Sequence, residues 1–76
     1  MKAIIYFKDA AAKEPLTVEG LISIHGNVEG KNTPKRYNEQ NFYAFTPFAN
    51  ESYAFKGTDG IFSISGAEIL KVEIKD

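Results

Sequence analysis

Residues 52–75, SYAFKGTDGIFSISGAEILKVEIK, alternate apolar and polar side chains in three short segments that are separated by glycine-marked turns. Side chains two positions apart share one face of a strand, so Tyr53 lies beside Phe55, and Phe62 lies beside Ile64. A helix would scatter these positions around its surface, so the period of two indicates strands. This stretch predicts a β-meander around which the rest of the chain is organised.

The third segment of the meander has the most regular pattern. Leu70, Val72 and Ile74 alternate with charges at 71, 73 and 75, which is typical of a sheet with one side in water. The pair Asp59-Gly60 ends the first turn and supplies the positive φ that a hairpin needs. Because the turns are short, we expect the three strands to pair antiparallel in sequence order.

The preceding chain offers strands that can join this meander. Residues 2–8 predict a first strand, with Ala3, Ile5 and Phe7 on one face. Residues 16–25 resume the alternation, and Gly20 interrupts it. We therefore expect a bulge or sharp bend at Gly20, within one long strand or between two.

Residues 41–48, NFYAFTPF, predict an aromatic strand. Its two faces would carry different rings, with Phe42 and Phe48 on one side and Tyr43 and Phe45 on the other. The polar stretch 26–40 predicts a long loop, with a small hairpin possible around residues 29–31. Loops of this length are often functional, so we expect the loop to face a partner.

These patterns predict one all-β domain, residues 1–76, with five or six antiparallel strands. Strands in this number usually hide their edges, so we expect a partly open SH3-like or OB-like barrel. A flat sheet that is completed by dimerisation is the alternative. A chain of 76 residues without cysteine must gain its stability from its core or from self-association.

The composition limits the possible functions. Nine basic and ten acidic residues give a net charge of −1, which does not favour polyanions or membranes as partners. The apolar run near the N-terminus is too short for a secretion signal or a membrane span, and the lack of cysteine suits the cytoplasm. We therefore expect a cytoplasmic protein that does not bind membranes.

The residues that usually carry chemistry are sparse. His25 is the only histidine and has only Ser23 nearby, so we interpret it as an exposed residue at a turn. Without cysteine, and with a single histidine, a zinc site is not expected. No phosphate-binding glycine motif is present. We expect no enzymatic activity, no cofactor, no metal and no small-molecule substrate.

The more informative signal is the combination of spare aromatic residues with a basic loop. We expect this surface to bind another protein, in the simplest case a second copy of the chain. The alternative is binding of single-stranded nucleic acid, in which rings stack on bases and cations follow the phosphates. The same candidate contact residues serve both hypotheses: Tyr37, Tyr43, Phe45, Lys31, Lys35 and Arg36.

The opening KAIIYFKD (2–9) and the closing FKGTDGIFSISGAEILKVEI (55–74) also resemble short β-rich proteins of Gram-positive bacteria and their phages. The resemblance covers the two ends of the chain and does not extend to the middle. Proteins of this kind carry no agreed activity, so no catalytic role transfers to any residue here. The resemblance implies a cytoplasmic accessory protein of bacterial or phage origin.

Overall fold

The computed structural model describes residues 1–28 and 35–76, which form strands and two single 3₁₀ turns. This part of the chain contains seven strands rather than the five or six predicted. In chain order they are β1 (Lys2–Phe7), β2 (Leu16–Val18), β3 (Ser23–Val28), β4 (Lys35–Tyr37), β5 (Glu51–Gly57), β6 (Gly60–Ser65) and β7 (Ile69–Lys75). The predicted all-β class is confirmed.

The described strands form two antiparallel sheets and do not close into a barrel. The three-stranded sheet has the order β2-β1-β7, and the four-stranded sheet has the order β4-β3-β5-β6. Within the described part of the chain the two sheets share no strand. They are joined at one corner, where the backbone N–H of Leu21 donates to the Met1 carbonyl and that of Ile22 donates to the Lys56 carbonyl, both at 2.8 Å.

Gly20 makes the bend that the sequence predicts. Its φ of +57° lies in the left-handed region, which is costly for residues with a Cβ. The hairpin turn after β5 packs against this corner, where the Thr58 N–H donates to the Glu19 carbonyl at 3.1 Å. The stretch 16–25 therefore forms two strands, and the bend carries the chain from the first sheet to the second.

The hairpin between β5 and β6 is confirmed. Phe55 lies opposite Phe62, and Tyr53 lies opposite Ile64. Gly60 has a φ of +137°, a conformation that glycine adopts without strain.

The predicted pairing of β6 with β7 is wrong. After β6 the chain makes a 3₁₀ turn over Gly66–Glu68, and β7 then pairs with β1 in the other sheet. The turn fits tightly against the chain before β5, because a Cβ on Gly66 would overlap the carbonyl oxygen of Phe48. A short turn that packs in this way directs β7 across the core instead of back along β6.

The predicted inward position of Leu70 is also wrong. The register between β1 and β7 shifts, since Tyr6 lies opposite Lys71 while Phe7 lies opposite Ile69. Leu70 is the extra residue of this bulge, and it is 60% exposed, whereas Ile69 is buried. Beyond the bulge Val72 and Ile74 pack against the core, as their alternation predicts.

The aromatic stretch 41–48 is not a strand. Phe42–Ala44 forms a 3₁₀ turn, and the residues before it are held by asparagine side chains. The Oδ1 of Asn41 accepts from the Asn38 N–H at 2.7 Å, and the Oδ1 of Asn38 accepts from the Gln40 N–H at 2.9 Å. These local bonds compete with a β-ladder for the same backbone groups.

Parts of the predicted loop 26–40 are strands, because β3 continues to Val28 and β4 covers Lys35–Tyr37. His25 therefore lies inside β3 and not at a turn. Gly26 lies in β3 opposite Tyr53, and a Cβ added to Gly26 would lie only 3.0 Å from Cε1 of the Tyr53 ring. The hairpin predicted around residues 29–31 lies outside the described residues.

The core lies between the two sheets. It contains ten buried apolar side chains from both sheets, from the bend between β2 and β3 and from the first 3₁₀ turn. They are Ala3, Ile5, Val18, Leu21, Ile24, Phe42, Tyr53, Phe55, Ile64 and Ile69. The central strands β1, β3 and β5 supply half of these side chains, and their alternate residues lie on the two outward faces.

Candidate functional site

The predicted aromatic surface does not form a single face. Phe45 is half-buried and meets the rings of Tyr37 and Tyr53 edge-on, each at 5.2 Å between centroids, and that of Phe55 at 5.9 Å. Tyr43 projects away from this cluster and is 89% exposed. Tyr37 and Phe45 are therefore brought together beside the core, while Tyr43 stands alone in solvent.

The predicted basic cluster is divided between two sides of β4. Lys35 lies opposite Gly26 on the side that faces the core, and Arg36 lies opposite His25 on the side that faces solvent. This division follows from strand geometry, since neighbouring side chains point to opposite faces. Lys31 lies outside the described residues.

Lys35 takes part in a polar network around a buried carboxylate. Its Nζ lies 3.3 Å from Oε1 of Glu51, which is only 5% exposed. The Tyr53 hydroxyl donates to the other Glu51 oxygen, Oε2, at 2.6 Å, and accepts from the backbone N–H of Phe48 at 2.7 Å. Burial and the bond to Glu51 raise the pKa of Tyr53 far above its usual range.

The contacts of this network favour a structural role over a catalytic one. Both oxygens of Glu51 and the hydroxyl of Tyr53 are already bonded to other groups of the chain. The network links the N-terminal end of β5 to β4 through Lys35, and to the stretch before β5 through Phe48. A sequence signal for it existed, because Glu51 shares the parity of Tyr53 and Phe55, and those two rings face the core.

A second polar group lies on the outward side of the three-stranded sheet. The hydrogen bond between Tyr6 and Glu73 raises the pKa of Tyr6 and lowers that of Glu73. Lys71 lies over the Tyr6 ring, 4.7 Å from its centroid, and Lys75 lies 3.5 Å from Oε2 of Glu73. These groups satisfy one another at the surface.

The four-stranded sheet has an outward face of different character, which the sequence reasoning missed. We use the name outer face for the side that turns away from the core, with Arg36 on β4, His25 on β3, Lys56 on β5 and Ser63 on β6. These four side chains are exposed. The alternation within each strand contained this signal, but the net charge of the whole chain concealed it.

The four sheet edges differ in how well they are protected. β2 has only three residues, β4 has three and carries two cations, and β7 carries alternating charges and the bulge at Leu70. β6 has six residues, Gly60–Ser65, without a charge, a proline or a register shift. Among the edges described, β6 is the one that lacks these protections.

Residues 1–28 and 35–76 contain no group of three histidine, aspartate or glutamate side chains placed to hold a metal ion. The same residues contain no helix that is long and apolar enough to cross a membrane.

Comparisons with protein-family models, with curated proteins and with solved structures gave no match. The resemblance of the two chain ends to β-rich proteins of Gram-positive bacteria and phages therefore stays a prediction.

Proposed function

We propose that this protein is a non-enzymatic assembly module that pairs with a second copy of itself through the edge of β6. The observation that carries the proposal is the lack of protection along this strand. Natural sheets shield long edges with charges, prolines or bulges, because free backbone N–H and C=O groups recruit other strands. The unprotected edge of β6 is therefore suited to pairing with a strand of another chain.

Two copies of β6 can pair with each other without conflict. The strand is neutral, so an antiparallel pair brings no like charges together. With Ser63 at a twofold axis, the half-buried Phe62 lies opposite the partner's Ile64, and the core layers of the two copies become continuous. The exposed Ile61 lies at the same junction and becomes partly covered.

Such a pair forms one eight-stranded sheet. It removes the β6 edges that an SH3-like or OB-like barrel would remove by closing on itself. A six-residue edge buries less than the roughly 1,200 Å² of a standard interface, so we expect dimerisation to be weak and dependent on concentration. Weak dimerisation is consistent with a module that assembles where its local concentration is high.

The non-enzymatic part of the proposal is supported by the state of the buried polar groups. Glu51 and Tyr53 are the most strongly buried acid and hydroxyl described, and each uses its hydrogen-bonding atoms on other parts of the chain. A general acid or base needs a free atom within reach of a substrate.

Sedimentation equilibrium over a wide concentration range tests the proposal. We expect the average mass of the wild type to rise towards that of a dimer. The variant Ser63→Lys places two ammonium groups at the twofold axis and should remain a monomer at every concentration. The variant Ser52→Lys is the matched control, because it adds the same charge on β5, which is an inner strand of the same sheet. A monomeric wild type, or equal association of Ser63→Lys and wild type, would refute self-pairing through β6.

A further inference from the structure

In the part of the chain that the structure describes, the outer face of the four-stranded sheet carries cations and no carboxylate. Arg36 and His25 lie directly opposite each other on β4 and β3, and Lys56 lies on β5, two residues from the partner of His25. None of the outward-facing residues of β3, β4, β5 and β6 is aspartate or glutamate. Arg36 and Lys56 therefore give the strands of this face a charge of +2.

The acidic residues of the described chain lie in other places. Glu51 is buried, and Glu73 lies on the other sheet. The remaining acidic residues occupy turns, connections or the last position of the chain. A protein of net charge −1 thus presents a sheet face whose strands carry cations and no carboxylate. Such a separation steers an anionic ligand to the face.

The other sheet serves as an internal comparison. Its outward face also bears lysines, but Glu73 lies among them, 3.9 Å from Lys71 and 3.5 Å from Lys75. Those lysines are therefore partly neutralised by a carboxylate on the same strand. Among the described residues, no carboxylate on the outer face pairs with Arg36 or Lys56, so none of them competes there with an incoming anion.

We infer that the outer face binds the phosphate backbone of a single-stranded nucleic acid. Phosphates are bound by arginine and lysine together with neutral donors such as serine and asparagine. The outer face supplies such donors on three strands, namely Asn27 on β3, Ser52 on β5 and Ser63 on β6, which line one depression with His25. The guanidinium of Arg36 matches a phosphate with two parallel N–H donors.

The shape and composition of the outer face favour a single strand over a duplex. A duplex is stiff over about 150 base pairs, so it touches a twisted sheet at few phosphates, whereas a single strand can follow the sheet surface. No aromatic ring lies among the outward residues of these four strands. Base stacking on the protein is therefore absent from this surface, and binding should be independent of base sequence.

This surface differs from the one expected from the sequence, which used Tyr43 and Phe45. It also does not depend on the proposed pairing of β6, because one chain carries the complete face. If the chains do pair in that way, two outer faces lie side by side on the same side of the eight-stranded sheet. Failure of either proposal therefore leaves the other standing.

Fluorescence anisotropy with labelled oligothymidylate and oligouridylate tests the inference. The strands should be longer than a site of roughly 4–16 nucleotides, and the salt concentration should be varied from about 50 mM upwards. We expect both strands to bind with similar affinity. Two or three phosphate contacts predict that the logarithm of the binding constant falls with that of salt with a slope of about −1.4 to −2.1.

A pair of charge reversals separates the outer face from the net charge of the protein. Lys56→Glu should weaken binding about tenfold or more, because it replaces a charged donor to phosphate by a carboxylate. Lys71→Glu makes the same change of charge on the other sheet and should change the affinity less than about twofold. Far-UV circular dichroism confirms that both variants are folded.

Three results would overturn the inference. The first is a wild type that binds neither strand at low salt and high protein concentration. The second is an equal loss of affinity in Lys56→Glu and Lys71→Glu, which would indicate only a dependence on net charge. The third is equal binding of polyglutamate, which would show that any polyanion suffices and that phosphate is not recognised.

Discussion

Replacing Tyr53 by phenylalanine is the most direct test of how the polar network stabilises the fold. The variant keeps the ring, which is 1% exposed and lies edge-on to Phe45 at 5.2 Å. It removes only the hydroxyl, which joins the Phe48 N–H to Oε2 of Glu51. The core packing is thus preserved, while the Phe48 N–H and Oε2 of Glu51 each lose a hydrogen-bond partner.

The size of the effect follows from these two groups. A donor or acceptor left unpaired in a protein interior costs about 1–3 kcal/mol, and a charged one costs more. Glu51 keeps its contact with Lys35, so the combined loss should be about 2–4 kcal/mol. A domain of 76 residues has a free energy of unfolding of only about 4–11 kcal/mol, so this loss is a large part of the total.

Urea unfolding followed by far-UV circular dichroism measures the effect. With a slope of about 1 kcal/mol/M for a small protein, the midpoint of Tyr53→Phe should fall by about 2–4 M. Tyr43→Phe is the matched control, since it removes the same atom from a side chain that is 89% exposed, and its change should stay within about 0.5 kcal/mol. If the two variants unfold within about 0.5 kcal/mol of each other, the network does not stabilise the protein as reasoned.

Two further predictions concern pH and the β1–β7 bulge. Burial and the hydrogen bond to Glu51 raise the pKa of Tyr53, so its contribution to stability should be complete below about pH 10 and be lost as the pH rises above that value. Urea midpoints measured across this range should fall more steeply for the wild type than for Tyr53→Phe, and parallel curves would contradict the assignment. At the bulge, Ile69→Ala should cost about 2–5 kcal/mol because Ile69 is 3% exposed. Leu70→Ala should cost less than about 0.5 kcal/mol by the same measurement, and the reverse order would place Leu70 inside.

The parts of the fold that were predictable from the sequence depend on signals local to a few residues. Gly20 breaks an alternating pattern, and the chain bends there. Phe62 and Ile64 follow a turn ending in glycine, and they pair with β5 as a hairpin should. The inward face of Ala3 and Ile5 is likewise set by alternation alone, and both residues are fully buried.

The errors come from interactions between residues that are distant in sequence, or from side chains that bond to the backbone. Alternation in residues 69–75 predicts a strand but does not name its partner, and β7 pairs with β1 at the far end of the chain. The stretch 41–48 has strong β propensity. However, the side-chain bonds of Asn38 and Asn41 stabilise turns there, and strand propensity is readily overridden by such context.

The candidate surface was predictable only in part. The sequence placed Lys35 and Arg36 together because they are adjacent, yet adjacency on a strand separates their side chains. Lys35 consequently serves the buried Glu51, and Arg36 joins His25 on the outer face. The net charge of the chain sums these faces, so it could not reveal a positive surface on one sheet.

The pairing of β1 with β7 has a consequence for how the chain reaches its folded state. β1 is synthesised before β7, the strand that covers one of its sides, and all four strands of the other sheet lie between the two in the chain. Contacts between strands that are far apart in sequence close a long loop and form slowly. Until β7 is made, β1 thus lacks one of its two neighbouring strands. This interval is when a nascent chain is most open to capture by a chaperone or by another unfinished copy.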